Sequence, residues 1–213
     1  MISKKIDIII TTYNRNDRLE QTLDILSKQT IRDFNLIIND DGGKNPIDPN
    51  SHPIITKYIW NKDDGYHRVS RFNESASLCV SPYIILMDDD CIPNGTNFIE
   101  TYLNDFKNTD VIRGIVQFPD GARANTWFST AIKKSVYDDI GLFDTNFDGH
   151  YGHEDRDFGI RLEKTKYKVI FGSEGTRANH GIEIYANGDR SDTIIGHNTR
   201  YFEEKWGFNP RKK

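Results

Sequence analysis

The stretch Tyr83–Pro93, YIILMDDDCIP, runs five apolar or aromatic residues directly into three aspartates. The apolar run has the length and branching of a strand buried on both faces. Three adjacent carboxylates at its end repel one another, so the chain holds them there against an electrostatic cost. In open α/β sheets, ligands sit outside the carboxyl ends of the strands. An acidic cluster at that position therefore marks a candidate ligand site.

The neighbouring sequence supplies the rest of such a sheet. KIDIIITT reads as a strand around residues 6–10. NDRLEQTLDILSKQT reads as a helix: Leu19, Leu23 and Leu26 share one face, and Asn14 or Asn16 is the expected cap. FNLII (34–38) is a second strand, ending in NDDGG, and IITKYIW (54–60) a third. RVSRFNESASLC places Val69, Phe72, Ala76 and Cys79 on one helical face, and Pro82 closes that helix. The order strand, helix, strand, strand, helix, strand predicts a mostly parallel sheet covered on both sides. Asp40-Asp41 and Asp88-Asp89-Asp90 should then line one crevice.

The second half is less regular. GTNFIETYLNDFK reads as a helix with Phe98, Ile99, Leu103 and Phe106 inward, and residues 111–118 as a strand. STAIKKSVYDDIG (129–141) and EDRDFGIRLEKT (154–165) read as helices, YKVIF (167–171) as a strand and NTRYFEEKW (198–206) as a final helix. No linker separates two domains. The expected organisation is one domain over residues 1–213, with a nucleotide-binding half (1–93) and an acceptor and catalytic-base half (94–213).

With 213 residues, 36% hydrophobic and 12% aromatic, the chain can bury a core without staples. Its net charge of −4, with basic residues clustered only in the tail NPRKK, argues against nucleic acid as a partner. That tail could make a weak peripheral contact with an anionic membrane. Cys79 and Cys91 lack metal-type spacing and read as buried small hydrophobes in a reduced, cytoplasmic setting.

If the extended geometry persists past Met87, Asp88 and Asp90 point one way and Asp89 the other. Two converging carboxylates suit Mg²⁺ or Mn²⁺, whose remaining ligands are phosphate oxygens and water. A solvated acidic turn or a helix cap would read the same. Glu154, Asp155 and Asp157 share one helical turn. Their acids suit the helix dipole, yet a buried carboxylate there could also be a general base. His180 could join the metal through a neutral ring nitrogen.

Together these pieces resemble a family-2 glycosyltransferase with the α/β GT-A fold, over nearly the whole chain. IDIIITTYNR, LSKQTIRDFNLIINDDGG, RVSRFN, LMDDDCIP and YFEEKWG match its segments in order. IGLFDTNFDGHYGHEDRDFGIRL is the most specific of them. It is similar to a segment of chondroitin-synthase-like and β-1,4-galactosyltransferase-type enzymes. The resemblance implies that Thr11, Thr12, Tyr13 and Arg15 lie by the nucleotide, that Asp40 or Asp41 bonds its uracil, and that Arg71 approaches the nucleotide or its diphosphate. Asp88 and Asp90 match the DxD positions for Mn²⁺ or Mg²⁺, and Asp89 lies with them against the nucleotide. Asp155 matches the catalytic base, Glu154 the sugar pocket beside it, and His180 a downstream metal ligand. Thr11 stands where many relatives have Pro, and Gly43 where many have Ser. Tyr151 and His153 replace a common Trp and Gly, so sugar and acceptor specificity does not carry over.

The implied reaction is inverting, metal-dependent transfer of a hexose or N-acetylhexosamine from a UDP-sugar to a saccharide or lipid-linked oligosaccharide acceptor. A sugar-nucleotidyltransferase should carry an early glycine-rich loop, which TTYNRNDR lacks. A non-catalytic nucleotide-sugar or carbohydrate-binding subunit would not need the acidic pair Glu154-Asp155.

Overall fold

The computed structural model describes residues 5–180 and 195–212. The end of the basic tail, Lys213, lies outside them. Strands β1 (Ile6–Thr12), β2 (Phe34–Asp40), β3 (Lys57–Trp60) and β4 (Tyr83–Asp88) alternate with helices α1 (Asn16–Leu26) and α2 (Arg68–Ser77). There follow β5 (Cys91–Pro93), α3 (Phe98–Asp105), β6 (Val111–Gln117), β7 (Arg123–Lys133) and α4 (Lys134–Ile140). The chain closes with α5 (Glu154–Glu163), β8 (Val169–Phe171), β9 (Ala178–His180) and α6 (Gly196–Trp206).

One sheet runs β3-β2-β1-β4-β7-β6-β9-β5, with β8 added beside β6. The first half pairs in parallel throughout: β2 with β3, β1 with β2, and β1 with β4. β7 runs antiparallel to both β4 and β6, so the sheet becomes mixed in its second half.

β1 is buried along its whole length. Ile6, Ile8 and Ile10 pack with Leu19, Leu23 and Leu26 of α1 and with Phe98, Ile99 and Tyr102 of α3. Ile9 faces the other layer, with Val69 and Phe72 of α2, Phe158 of α5 and Phe202 of α6. Each such side chain contributes about 1.5–3 kcal/mol on burial. Asp7 interrupts this pattern at zero exposure. It accepts bonds from Val80 N, Ser81 N, Ser81 Oγ and Asn35 Nδ2. Four donors make a buried carboxylate tolerable there.

Several expectations are corrected. Residues 129–133 belong to β7, and the helix expected over 129–141 forms only from Lys134. Ala131 and Ile132 are fully buried between β4 and β6, a context in which strand pairing overrides local helical character. The α1 cap is neither Asn14 nor Asn16: Arg15 holds that position, with no side-chain capping bond. Asn14 instead has a positive φ of 54° and accepts the Lys44 amide. In α3, Leu103 packs partly buried against the core as expected, and Tyr102, not anticipated, is fully buried. Its hydroxyl bonds the Ser129 carbonyl of β7 at 2.7 Å. Among the described residues no helix is long and apolar enough to cross a membrane.

Candidate active site

Parallel pairing brings three strand ends together. Thr11 is the register partner of Asp88, and Thr12 of Asp40. The expected alternation across the aspartates does not hold. β4 stops at Asp88, and the chain turns at Asp89-Asp90 before β5. Asp89 and Asp90 therefore meet the same group: Arg15 Nη1 lies 3.3 Å from Asp89 Oδ1 and 2.9 Å from Asp90 Oδ2. Asp89 also accepts from Thr12 Oγ1 at 2.8 Å, and its carbonyl accepts from Thr22. Burial is the largest influence on the Asp89 carboxyl, raising its pKa to about 7 against the opposing pull of Arg15.

Asp88 is held from the other side. The Arg68 guanidinium, in the first turn of α2, donates one nitrogen to Asp88 and another to Glu154 of α5. It thereby spans the crevice. The start of α2 is fixed by borrowed acceptors. Asp148 takes the Val69 and Ser70 amides at 2.9 and 3.0 Å, and Asp41 takes the His67 amide at 2.8 Å. These satisfy amides that a helix start leaves unpaired. Asp41 also receives Arg71 Nε at 2.7 Å, so Arg71 pairs with Asp41 and Arg68 reaches the aspartate cluster. Asp40 is turned to Gly43 N and the Tyr58 hydroxyl, both at 2.7 Å. Tyr13 is exposed, its hydroxyl 3.2 Å from Asp63.

The acidic pair of α5 is aimed by a strained turn. Gly152 and His153 have φ of 95° and 72°, and His153 is a non-glycine residue in the left-handed region. His153 Nε2 lies 3.0 Å from Thr199 Oγ1 of α6, which anchors that conformation. Glu154 is buried; desolvation raises its carboxyl strongly, with Arg68 opposing. Asp155 is half-buried, and its Oδ1 accepts the Arg156 amide at 2.7 Å. Burial raises its pKa; Arg68 and Arg113 pull it down and Asp88 pushes it up. Among the described residues its other oxygen has no hydrogen-bond donor, so it can take a proton from a ligand.

His180, on β9, brings Nε2 to 3.6 Å from Asp90 Oδ1. That Asp90 oxygen is buried and accepts no hydrogen bond. Desolvation and Asp88 raise the Asp90 carboxyl, while His180 and Arg15 lower it. An orphaned buried carboxylate oxygen facing an imidazole fits a hard or borderline cation.

Residues 7–170 match the family model described as "Glycosyl transferase family 2". The chain belongs to glycosyl transferase family 2. Proteins of similar sequence include validoxylamine A glucosyltransferase of Streptomyces hygroscopicus subsp. jinggangensis, 28% identical over 104 residues. That match covers 46% of this chain and 24% of the relative. Chondroitin synthase of Escherichia coli is 28% identical over 153 residues, covering 68% of this chain and 22% of the relative. The matched stretches thus span about a quarter of these relatives. Among solved structures, the mannosyltransferase PcManGT from Pyrobaculum calidifontis, in complex with GDP-Man and Mn²⁺, superposes with a TM-score of 0.69. It is 14% identical, over 97% of this chain and 66% of that one. The family-2 chain therefore has the GT-A fold.

Three side chains lining the candidate site were missed in the sequence. Arg68 stands three residues before Arg71, and only the exact start of α2 decides which of them enters the crevice. Arg113 of β6 lies over the Trp127 ring of β7 at 4.8 Å and influences Asp155; β7 was not anticipated. Tyr66 packs edge-on against Tyr151, ring centroids 6.3 Å apart, across a contact between distant loops.

Proposed function

We propose that this chain transfers a hexose or N-acetylhexosamine from a UDP-sugar to a saccharide hydroxyl, with inversion at the sugar C1. The observation that carries this reading is the Arg68 bridge. It draws Asp88, at the end of a nucleotide-type parallel sheet, and Glu154, at the start of α5, into one crevice. Asp155 stands beside that bridge with an oxygen open to a ligand. A nucleotide-sugar donor and Mn²⁺ in a structure of the same fold support the assignment.

In this reading residues 1–93 hold the nucleotide and 94–213 the acceptor and base, within one domain. Thr11, Thr12, Tyr13 and Arg15 border the nucleotide. Asp41 and Arg71 meet it as an ion pair, and Asp40 shapes the turn at Gly43. Asp88, Asp90 and His180 would hold Mn²⁺ or Mg²⁺, and Asp89 is kept in place by Thr12 and Arg15. When bound, the cation supplies Lewis-acid neutralisation of the departing diphosphate. An acceptor hydroxyl resembles water, with a pKa of about 16, so Asp155 cannot deprotonate it in advance. Asp155 takes the proton as the new C1–O bond forms and the bond to UDP breaks on the opposite face. Burial, by raising the Asp155 pKa, makes it a stronger base once ionised. Glu154, paired with Arg68, borders the sugar. The acceptor is a saccharide or lipid-linked oligosaccharide.

Purified protein incubated with a panel of UDP-sugars and Mn²⁺ should release UDP from one or a few of them, faster with saccharide acceptors present. Calorimetry should show Mn²⁺-dependent UDP binding that Asp90→Ala removes. Equal UDP affinity in that variant sinks the metal assignment, and inertness towards every nucleotide sugar sinks the reaction.

A further inference from the structure

Cys91 follows the aspartate turn and opens β5. Its partner in the antiparallel pairing with β9 is His180, so both side chains stand on one face of the pair. The Cys91 sulfur, a carboxylate oxygen of Asp90 and a ring nitrogen of His180 all lie within 4.8 Å of one another. Asp90 is 1% exposed, and its Oδ1 accepts no hydrogen bond. His180 Nε2 at 3.6 Å is too far to supply one. A buried oxygen left without a donor is destabilising, and a bound cation removes that cost.

The donor set is mixed: one oxygen, one nitrogen, one sulfur. Carboxylates alone suit Mg²⁺ or Mn²⁺, whereas imidazole and thiolate favour Zn²⁺, Co²⁺ and Cd²⁺. Tetrahedral Zn²⁺ with bonds of about 2.0–2.3 Å sets its ligand atoms roughly 3.3–3.8 Å apart.

We propose that Cys91 is a metal ligand, and that Asp90, Cys91 and His180 select a thiophilic divalent cation such as Zn²⁺ over Mg²⁺. The thiol proton leaves to solvent as the metal–sulfur bond forms. On the reading above, Asp88 and a donor diphosphate oxygen would complete the ligand set. The proposal rests on that reading only for placing the cation at Asp90.

Co²⁺ titration of the reduced protein tests this without a turnover assay. Wild type should develop a near-ultraviolet sulfur-to-cobalt charge-transfer band. Cys79, the only other cysteine, packs in the opposite core layer, so Cys79→Ser should keep the band. Cys91→Ser should lose it, and should bind Zn²⁺ at least the ~10-fold more weakly that loss of even an outer-shell partner costs. Should Cys91→Ser fail to fold, cadmium NMR of the wild type reads the same bond directly, as a resonance in the sulfur-ligated range. Co²⁺ binding that Asp90→Asn abolishes, with no sulfur band in wild type, overturns the proposal and leaves the cation site standing. Absence of binding by any divalent cation overturns both.

Discussion

Arg68 holds two carboxylates that would otherwise face each other. Its substitution by Gln removes a positive charge from between Asp88 and Glu154 and leaves both without their ion-pair partner. Breaking a fully buried pair costs about 3–5 kcal/mol; these groups keep some solvent contact, so roughly 2–3 kcal/mol is expected here. Thermal melts of Arg68→Gln in chelator should show that loss, and added Mn²⁺ should restore part of it. An unchanged melting temperature in chelator would mean that the bridge is solvated and weak. The sequence contained both Arg68 and Arg71 in RVSRFN. Residues three apart on a helix point in neighbouring directions, so the choice between them depends on where α2 begins. Asp41 and Asp148 decide that start from outside the helix. Likewise, Asp88 and Asp90 were readable as candidate site residues, but alternation failed because the strand turns at Asp89, where Arg15 gathers two carboxylates.

Among the elements, β1, α1, β2, α2 and β4 were legible because their apolar spacing agrees with the layer each one faces. β7 was not, since Ser129–Lys133 becomes a strand only through pairing with β4 and β6. That junction is tight. A Cβ at Gly114 of β6 would lie 2.1 Å from the Tyr102 hydroxyl and 2.3 Å from the Ser129 carbonyl. Gly114→Ala should therefore cost about 1–3 kcal/mol, read as a lower denaturation midpoint; wild-type stability would mean that β6 and β7 separate freely there. At the α6 contact, burial works against the charge of Asp144. Lys205, the Tyr201 hydroxyl and the Asn146 amide outweigh it and hold the carboxyl below its usual range. A depressed carboxyl contributes stability above its unfolded pKa of about 3.9 and loses it as pH falls towards the folded value. Asp144→Asn should thus melt below wild type at pH 6, with the gap closing as pH drops below about 4. A gap independent of pH would contradict the ion pair with Lys205 as its source.

At the scale of the molecule, the sheet gathers the ends of β1, β2 and β4, and the Gly152-His153 turn brings the start of α5 to the same crevice. The parallel half was readable in the first ninety or so residues because its strands are short, largely apolar runs. The closure of the crevice was not, since it depends on contacts between loops far apart in sequence, such as Gly149 N to the Tyr66 carbonyl at 2.6 Å. We propose a single displacement in the crevice with Asp155 as base. It is tested most directly by comparing wild type and Asp155→Asn for UDP release from the preferred UDP-sugar, alongside UDP affinity by calorimetry. Release should fall by about 10²–10⁴ with UDP affinity unchanged, whereas near-normal release from Asp155→Asn would contradict the claim.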